Sequence, residues 1–165
     1  MQIRPATADD VPHILPMVQG LADLHESWDP ERFDYIPEVG RRYERWLTQR
    51  ARDARSVFLV AERPADASGL ATPIGFVVAT IEPTIPVYRV KETGFVHDLW
   101  VDERYRHEGI GRNLVMRLIE RFAEIGVSQI RLETAVANEP ARQLFASCGF
   151  RTSAVEMLLN LKAAT

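Results

Sequence analysis

The feature that most constrains the fold is a pair of glycines, Gly109 and Gly111, set between an apolar run, Gly94 to Val101, and an amphipathic stretch. In that stretch Ile110, Leu114, Val115, Leu118, Ile119, Phe122 and Ile125 recur at helical spacing until Gly126. The pattern reads as a strand that enters a loop, Asp102 to Glu108, and leaves it as a helix starting near Gly109 and ending at Gly126. The first turn of a helix has unpaired N–H groups and a partial positive charge, so such a unit can hold an anion against its backbone. Gly109 and Gly111 would let a phosphate approach closely and Arg106 would add charge; glycines here also serve as turn or tight-packing devices. The dinucleotide fingerprint fails because Leu114 stands where its third glycine belongs, and no Gly-Lys-Ser/Thr follows for a P-loop.

The rest of the chain alternates strands and helices. Gln2 to Pro5 reads as a strand, and Thr7, Asp9, Asp10 and Pro12 signal a helix start, with Pro16 expected to bend or interrupt that helix. A second helix is predicted over Pro37 to Asp53, from Val39, Tyr43, Trp46, Leu47 and Arg50. Ser56 to Ala61 and Ile74 to Ile81 suit two buried antiparallel strands separated by the turn signals Pro64, Gly69 and Pro73. A Pro-containing excursion, Glu82 to Glu92, precedes the strand Gly94 to Val101. After the central helix come a strand, Gln129 to Val136, a helix capped by Asn138 and ending at Gly149, and closing strands at Phe150 and Val155 to Leu161. The expected fold is mixed α/β (α+β), and 165 residues suit one domain spanning 1–165.

Composition narrows the partners. Hydrophobic residues at 46% and charged residues at 26% are ordinary for a globular chain, and a net charge of -3 lacks the basic footprint of a nucleic-acid binder. The start lacks an apolar signal core and no apolar run approaches the length of a membrane span, so a cytoplasmic location and no membrane contact are expected. Cys148, the only cysteine, excludes an internal disulfide and a cysteine-rich zinc site, and reads as a small buried apolar residue. No metal is expected. Whether the chain acts alone or as a homodimer stays open.

The run Val96-His97-Asp98-Leu99-Trp100-Val101-Asp102-Glu103-Arg104-Tyr105-Arg106-His107-Glu108-Gly109-Ile110-Gly111 resembles the central motif of the GNAT superfamily of N-acetyltransferases, Arg/Gln-x-x-Gly-x-Gly/Ala. Asn138 to Phe145, through Gly149 and Phe150, is similar to that superfamily's next motif in content and spacing. The resemblance covers Gly94 to Phe150. It implies a mixed central sheet flanked by helices, with acetyl-CoA as cosubstrate in a V-shaped opening between parallel, splayed strands Gly94 to Val101 and Gln129 to Val136. It further implies pantetheine contacts from the backbone of Leu99, Trp100 and Val101, and pyrophosphate contacts from the amides of Arg106, His107, Glu108, Gly109, Ile110, Gly111 and Arg112. Asn138 would be a further contact to pantetheine or substrate.

Acyl transfer to an amine needs a base, because an alkylammonium is protonated at neutral pH. Strand alternation would set His97, Leu99 and Val101 on one face and Val96, Asp98 and Trp100 on the other. His97 is the favoured base and Asp98 the alternative; either residue could instead be a hydrogen-bonded support for a neighbouring loop. Phe145 stands where the family usually carries the tyrosine that protonates the departing sulfur, which leaves water, Tyr105, Ser147 or a loss of activity as explanations. A domain that binds acetyl-CoA as a sensor without transferring it is therefore the competing reading. Asp23, Glu26, Asp29, Glu31, Asp34 and Glu38 face only Arg32 in their segment, whereas Arg41 to Arg55 is strongly basic. The two segments either pair with each other, or the acidic one, with Trp28, Phe33 and Tyr35, borders the site of a cationic small-molecule or peptide amine.

Overall fold

The computed structural model describes residues 1–63 and 72–161. Five strands form one sheet in the order β1 (Gln2–Pro5), β2 (Val57–Glu62), β3 (Pro73–Pro83), β4 (Glu92–Val101) and β5 (Ile130–Leu132). The first four run antiparallel in succession, and β4 pairs with β5 in parallel. The turn signals Pro64 and Gly69 between β2 and β3 lie outside the described residues.

Two apolar layers explain why β2 and β3 read as continuous hydrophobic runs: both faces of each are covered. Leu59, Val77, Ala79 and Val96 pack against Leu114, Leu118 and Phe122 of α3 (Ile110–Ile125). On the other face Phe58, Val60, Phe76 and Val78 pack against Ile14 and Val18 of α1 (Val11–Trp28) and Leu47 of α2 (Val39–Arg50). The short α4 (Glu139–Ser147) follows β5. Gly126 ends α3 at φ 92, the left-handed conformation that favours glycine.

The amino-terminal corner is tied by charge. Asp10 is buried and its carboxylate accepts from Arg4 Nη1 and Nη2, both at 2.8 Å, and from the Thr7 amide at 2.7 Å. Arg4 also reaches Glu62 on β2 at 2.9 Å. A 3-10 turn at Ala8–Asp10 leads straight into α1, which continues through Pro16 without the expected interruption. The missing N–H of Pro16 removes one backbone bond, to residue 12, and the buried faces of Ile14 and Val18 hold the turn around it.

Several boundaries differ from expectation. The second helix is shorter than predicted, Val39–Arg50, and β5 keeps only Ile130–Leu132 of the predicted Gln129 to Val136. No strand forms at Phe150 or over Val155 to Leu161. An apolar alternating run can form a strand only where a neighbouring edge accepts its backbone. Here residues 151–161 are exposed and held instead by side chains: Arg32 to Glu156 at 3.1 Å and Asn160 Nδ2 to Glu31 at 2.8 Å. Cys148, expected to be buried, is half-buried.

Candidate functional site

β5 pairs with β4 only from Gly94 to Val96, so β4 from His97 to Val101 has no strand partner on that side among the described residues. A cavity of about 640 Å³ opens beside this splay, within the usual range for small-molecule sites. Its walls come from α1, the α1–α2 connection, α2, β4 and the segment after β5.

A β-bulge decides which side chains reach it. Val78 pairs with Asp98 and Ala79 with Val96, leaving His97 as the extra residue. The bulge corrects the simple alternation expected for this strand. Val96, Leu99 and Val101 face the α3 layer, while His97 and Asp98, consecutive in sequence, both turn toward the α1–α2 layer and line the cavity. His97 therefore does not share a face with Leu99 and Val101.

The two candidates have different surroundings. Tyr43 Oη donates to Asp98 Oδ2 at 2.8 Å. Asp98 is half-buried, and the protein packed about its carboxyl raises its pKa to about 6, with the Tyr43 hydrogen bond pulling the other way. His97 lies 2.7 Å through Nε2 from Thr80 Oγ1, whose hydroxyl donates to Glu82 at 3.3 Å. When that hydroxyl proton points to the carboxylate, Nε2 donates to Thr80 and Nδ1 is the acceptor nitrogen; in the other tautomer Thr80 donates to Nε2. Trp46 meets the imidazole edge-on with ring centres 5.1 Å apart. Burial pushes the His97 pKa below its ordinary value, against the pull of Glu82.

The rim is aromatic and acidic. His25 stacks on Phe33 at 4.7 Å, Trp28 lies 5.5 Å from His25, and Phe33 lies 6.2 Å from Tyr35. Asp29, Glu133 and Glu156 join Asp98 as carboxylates against one guanidinium, Arg32, which bridges Glu133 at 3.6 Å and Glu156 at 3.1 Å. Burial lowers the pKa of His25 and raises that of Tyr35, the latter also through Asp98. The acidic segment does not simply neutralise the basic one: the ion pair seen between them is Glu38 with Arg41.

The glycine turn lies at the far end of β4. His107 and Gly109 adopt left-handed conformations, φ 67 and 78, and a Cβ on Gly109 would meet no atom within 4 Å. Open backbone before a 16-residue helix suits an anion. His107, Glu108 and Arg112 are exposed, whereas the Ile110 side chain is in the core and Gly111 lies against Leu144 and Val101, so these two can offer only backbone. Arg106 is turned back on its own chain, donating from Nε to the Val101 carbonyl at 3.0 Å and stacking 4.8 Å from the Trp100 ring. Asn138 accepts from the Ala141 amide at 3.2 Å as the cap of α4. Phe145 is 8% exposed, packs edge-on against Phe150 at 5.5 Å and does not line the cavity. Of the residues expected to catalyse or to hold the cosubstrate, only His97 and Asp98 line the cavity, and those from Leu99 to Phe145 lie outside its walls; Trp28, Asp29, Phe33 and Tyr35, from the segment read as a possible border of the amine site, do line it.

Two participants were missed in the sequence. Tyr43 reads there as one residue of a helical stripe, and His25 gives no signal; both become visible only when α1 and α2 are laid on β4.

Comparison with known proteins matches residues 21–150 to the profile described as "Acetyltransferase (GNAT) family". An uncharacterized N-acetyltransferase of Archaeoglobus fulgidus is 27% identical over 151 residues, covering 92% of this chain and 93% of that protein. Human N-alpha-acetyltransferase 30 is 32% identical over 77 residues, 47% of this chain, and the match spans a fifth (20%) of the human protein's length. A solved mutant of the BH1408 protein from Bacillus halodurans superposes with a TM-score of 0.80 at 24% identity, over 98% of this chain and 99% of that one, which is a likeness of fold.

Proposed function

This chain belongs to the acetyltransferase (GNAT) family, and on that footing we propose that it moves an acetyl group from acetyl-CoA to a primary amine held in the cavity beside Asp98. The observation that carries the reading is the placement of Asp98: a carboxyl with a pKa raised to about 6, lining a cavity that adjoins the unpaired edge of β4. That combination of cleft and perturbed acid is what a proton-transfer site needs.

Support for acetyl-CoA comes from two places. The backbone of Leu99, Trp100 and Val101 has no strand partner on the β5 side, and the space over Gly109 is open. Those residues, with the amides from Arg106 to Arg112, would hold the cosubstrate. Acetyl-CoA would supply an acetyl group activated as a thioester.

The chain's own residues would do the rest. Asp98 accepts the ammonium proton, being mostly ionised at pH 7 yet more basic than an ordinary aspartate. Tyr43 holds the carboxylate in place. His97 serves as the second base through Nδ1, in the tautomer whose Nε2 donates to Thr80. A backbone N–H near Leu99 or Trp100 would stabilise the developing oxyanion. Phe145 has no proton to give and the Ser147 hydroxyl donates to the Leu144 carbonyl, so water, ahead of Tyr105, would protonate the departing sulfur. A thiol, with its pKa near 8.5, needs little such help.

The test is release of free thiol from acetyl-CoA across a panel of amines, with cosubstrate binding followed separately by calorimetry. Amine-dependent release is expected. Binding without release would support the sensor reading instead.

A further inference from the structure

Resting on that reading, we infer that the acceptor is an ammonium carried close to a ring-sized apolar group, supplied either as a free arylalkylamine or as the amino terminus of a peptide that begins with a large apolar residue.

The shape of the cavity leads there. Its inner end carries Asp98, which is the natural counter-charge for one ammonium next to the unpaired edge of β4. Another wall is the aromatic series Trp28, His25, Phe33 and Tyr35, contributed by α1 and the connection after it, with Tyr35 near enough to feel the Asp98 charge. Val18 and Leu21, both buried, continue the apolar surface. A ring lying against offset-stacked rings gains contact area and favourable quadrupole geometry together. An ammonium near the same rings is also attracted by their faces.

Arg32 takes up part of the acidic rim. Glu133 and Glu156 at the mouth are bridged by Arg32, and Asp29 accepts from the Arg32 amide at 3.1 Å. A second ammonium would compete with Arg32 for Glu133 and Glu156 or pair with Asp29, whose carboxylate keeps its charge, so the aromatic wall and not the charge sets the preference. Ethanolamine or glycine-led peptides would satisfy Asp98 and leave the aromatic wall wet.

The experiment compares kcat/KM for 2-phenylethylamine, ethanolamine, spermidine and an aminoglycoside, and for two tetrapeptides that begin with phenylalanine or with glycine. Burial of a phenyl ring is worth about a hundredfold by area, and partial exposure in an open cleft leaves about tenfold. Phenylethylamine, the phenylalanine peptide or both should exceed their matched controls by at least about tenfold, and the arm with the larger ratio identifies the source. Phe33→Ala should cut that ratio about threefold or more with acetyl-CoA affinity retained. Equal or higher rates with ethanolamine or spermidine, or a ratio indifferent to Phe33→Ala, would overturn the inference. Should no amine be acetylated, the proposed function fails separately. Calorimetric affinities of the same amines for the CoA complex then decide: the same order supports the aromatic acceptor, and no preference removes it.

Discussion

Tyr43 on α2 donates a 2.8 Å hydrogen bond to Asp98 Oδ2 on β4, so the helix layer directly restrains the carboxyl in the cavity. The bond favours the ionised form and partly offsets the burial that raises the Asp98 pKa to about 6. Tyr43→Phe should therefore raise that pKa further. The acidic limb of the rate profile should move up by about half to one pH unit. An unmoved limb in kcat/KM against pH would dissociate Tyr43 from the proton transfer.

Asp98 also bears on stability. Its folded pKa is raised above the ordinary aspartate value, so its contribution to stability is fully present below about pH 4 and is lost as pH rises through about 6. Asp98→Asn keeps an acceptor for Tyr43 and removes the charge. At pH 8 it should be more stable than wild type by about 1–2 kcal/mol, the full shift being discounted for partial exposure. Acetyl transfer should fall by about 10² or more. Denaturant melts at pH 4 and pH 8 check the first statement, since the gain should vanish at the lower pH.

Gly109 and Gly94 should separate binding from folding. Gly109 has a left-handed φ of 78 and open space at its Cβ position, so Gly109→Leu costs about 1–2 kcal/mol of backbone strain but fills the room over the turn. Acetyl-CoA affinity should drop at least about tenfold. Gly94→Ala would bring a Cβ within 2.7 Å of the fully buried Phe122 ring, costing about 1–3 kcal/mol of stability. Calorimetry with CoA beside thermal unfolding tells the two apart.

Asp10 should govern stability in acid. Burial alone would raise its pKa, but the hydrogen bonds from Arg4 and Thr7 outweigh it and the folded pKa is lowered. Its contribution is therefore present above the ordinary aspartate range and is lost as pH falls through the lowered folded value. Asp10→Ala should cost about 2 kcal/mol at pH 7, through the lost cap and a half-paired Arg4, and less at pH 2. Unfolding midpoints at both pH values measure the difference.

The fold was largely legible because local patterns carried it. The stripe from Ile110 to Ile125 and its closing Gly126 placed α3 within a residue, and the β-branched runs at Val57 and Ile74 placed β2 and β3. Asn138 capped α4 as its side chain suggests. The closing strands were not legible, because the Val155 to Leu161 pattern states what a segment can do and a strand also requires a free edge to pair with.

At the site, the residues at the Arg106 to Gly111 turn were set by local chemistry. A left-handed backbone and a helix start depend on neighbours in the chain, so both are written in the sequence. The orientation of His97 and Asp98 was not. One bulged residue against Val78 and Ala79 reverses the alternation, and a register shift depends on the partner strand. The pairing of Asp98 with Tyr43 joins residues far apart in the chain, and it exists only because α2 packs on that face of the sheet. The opening glycine turn thus belongs to the chain itself, while the placing of His97, Asp98 and Tyr43 was decided by burial and long-range packing, whose energies no single segment contains.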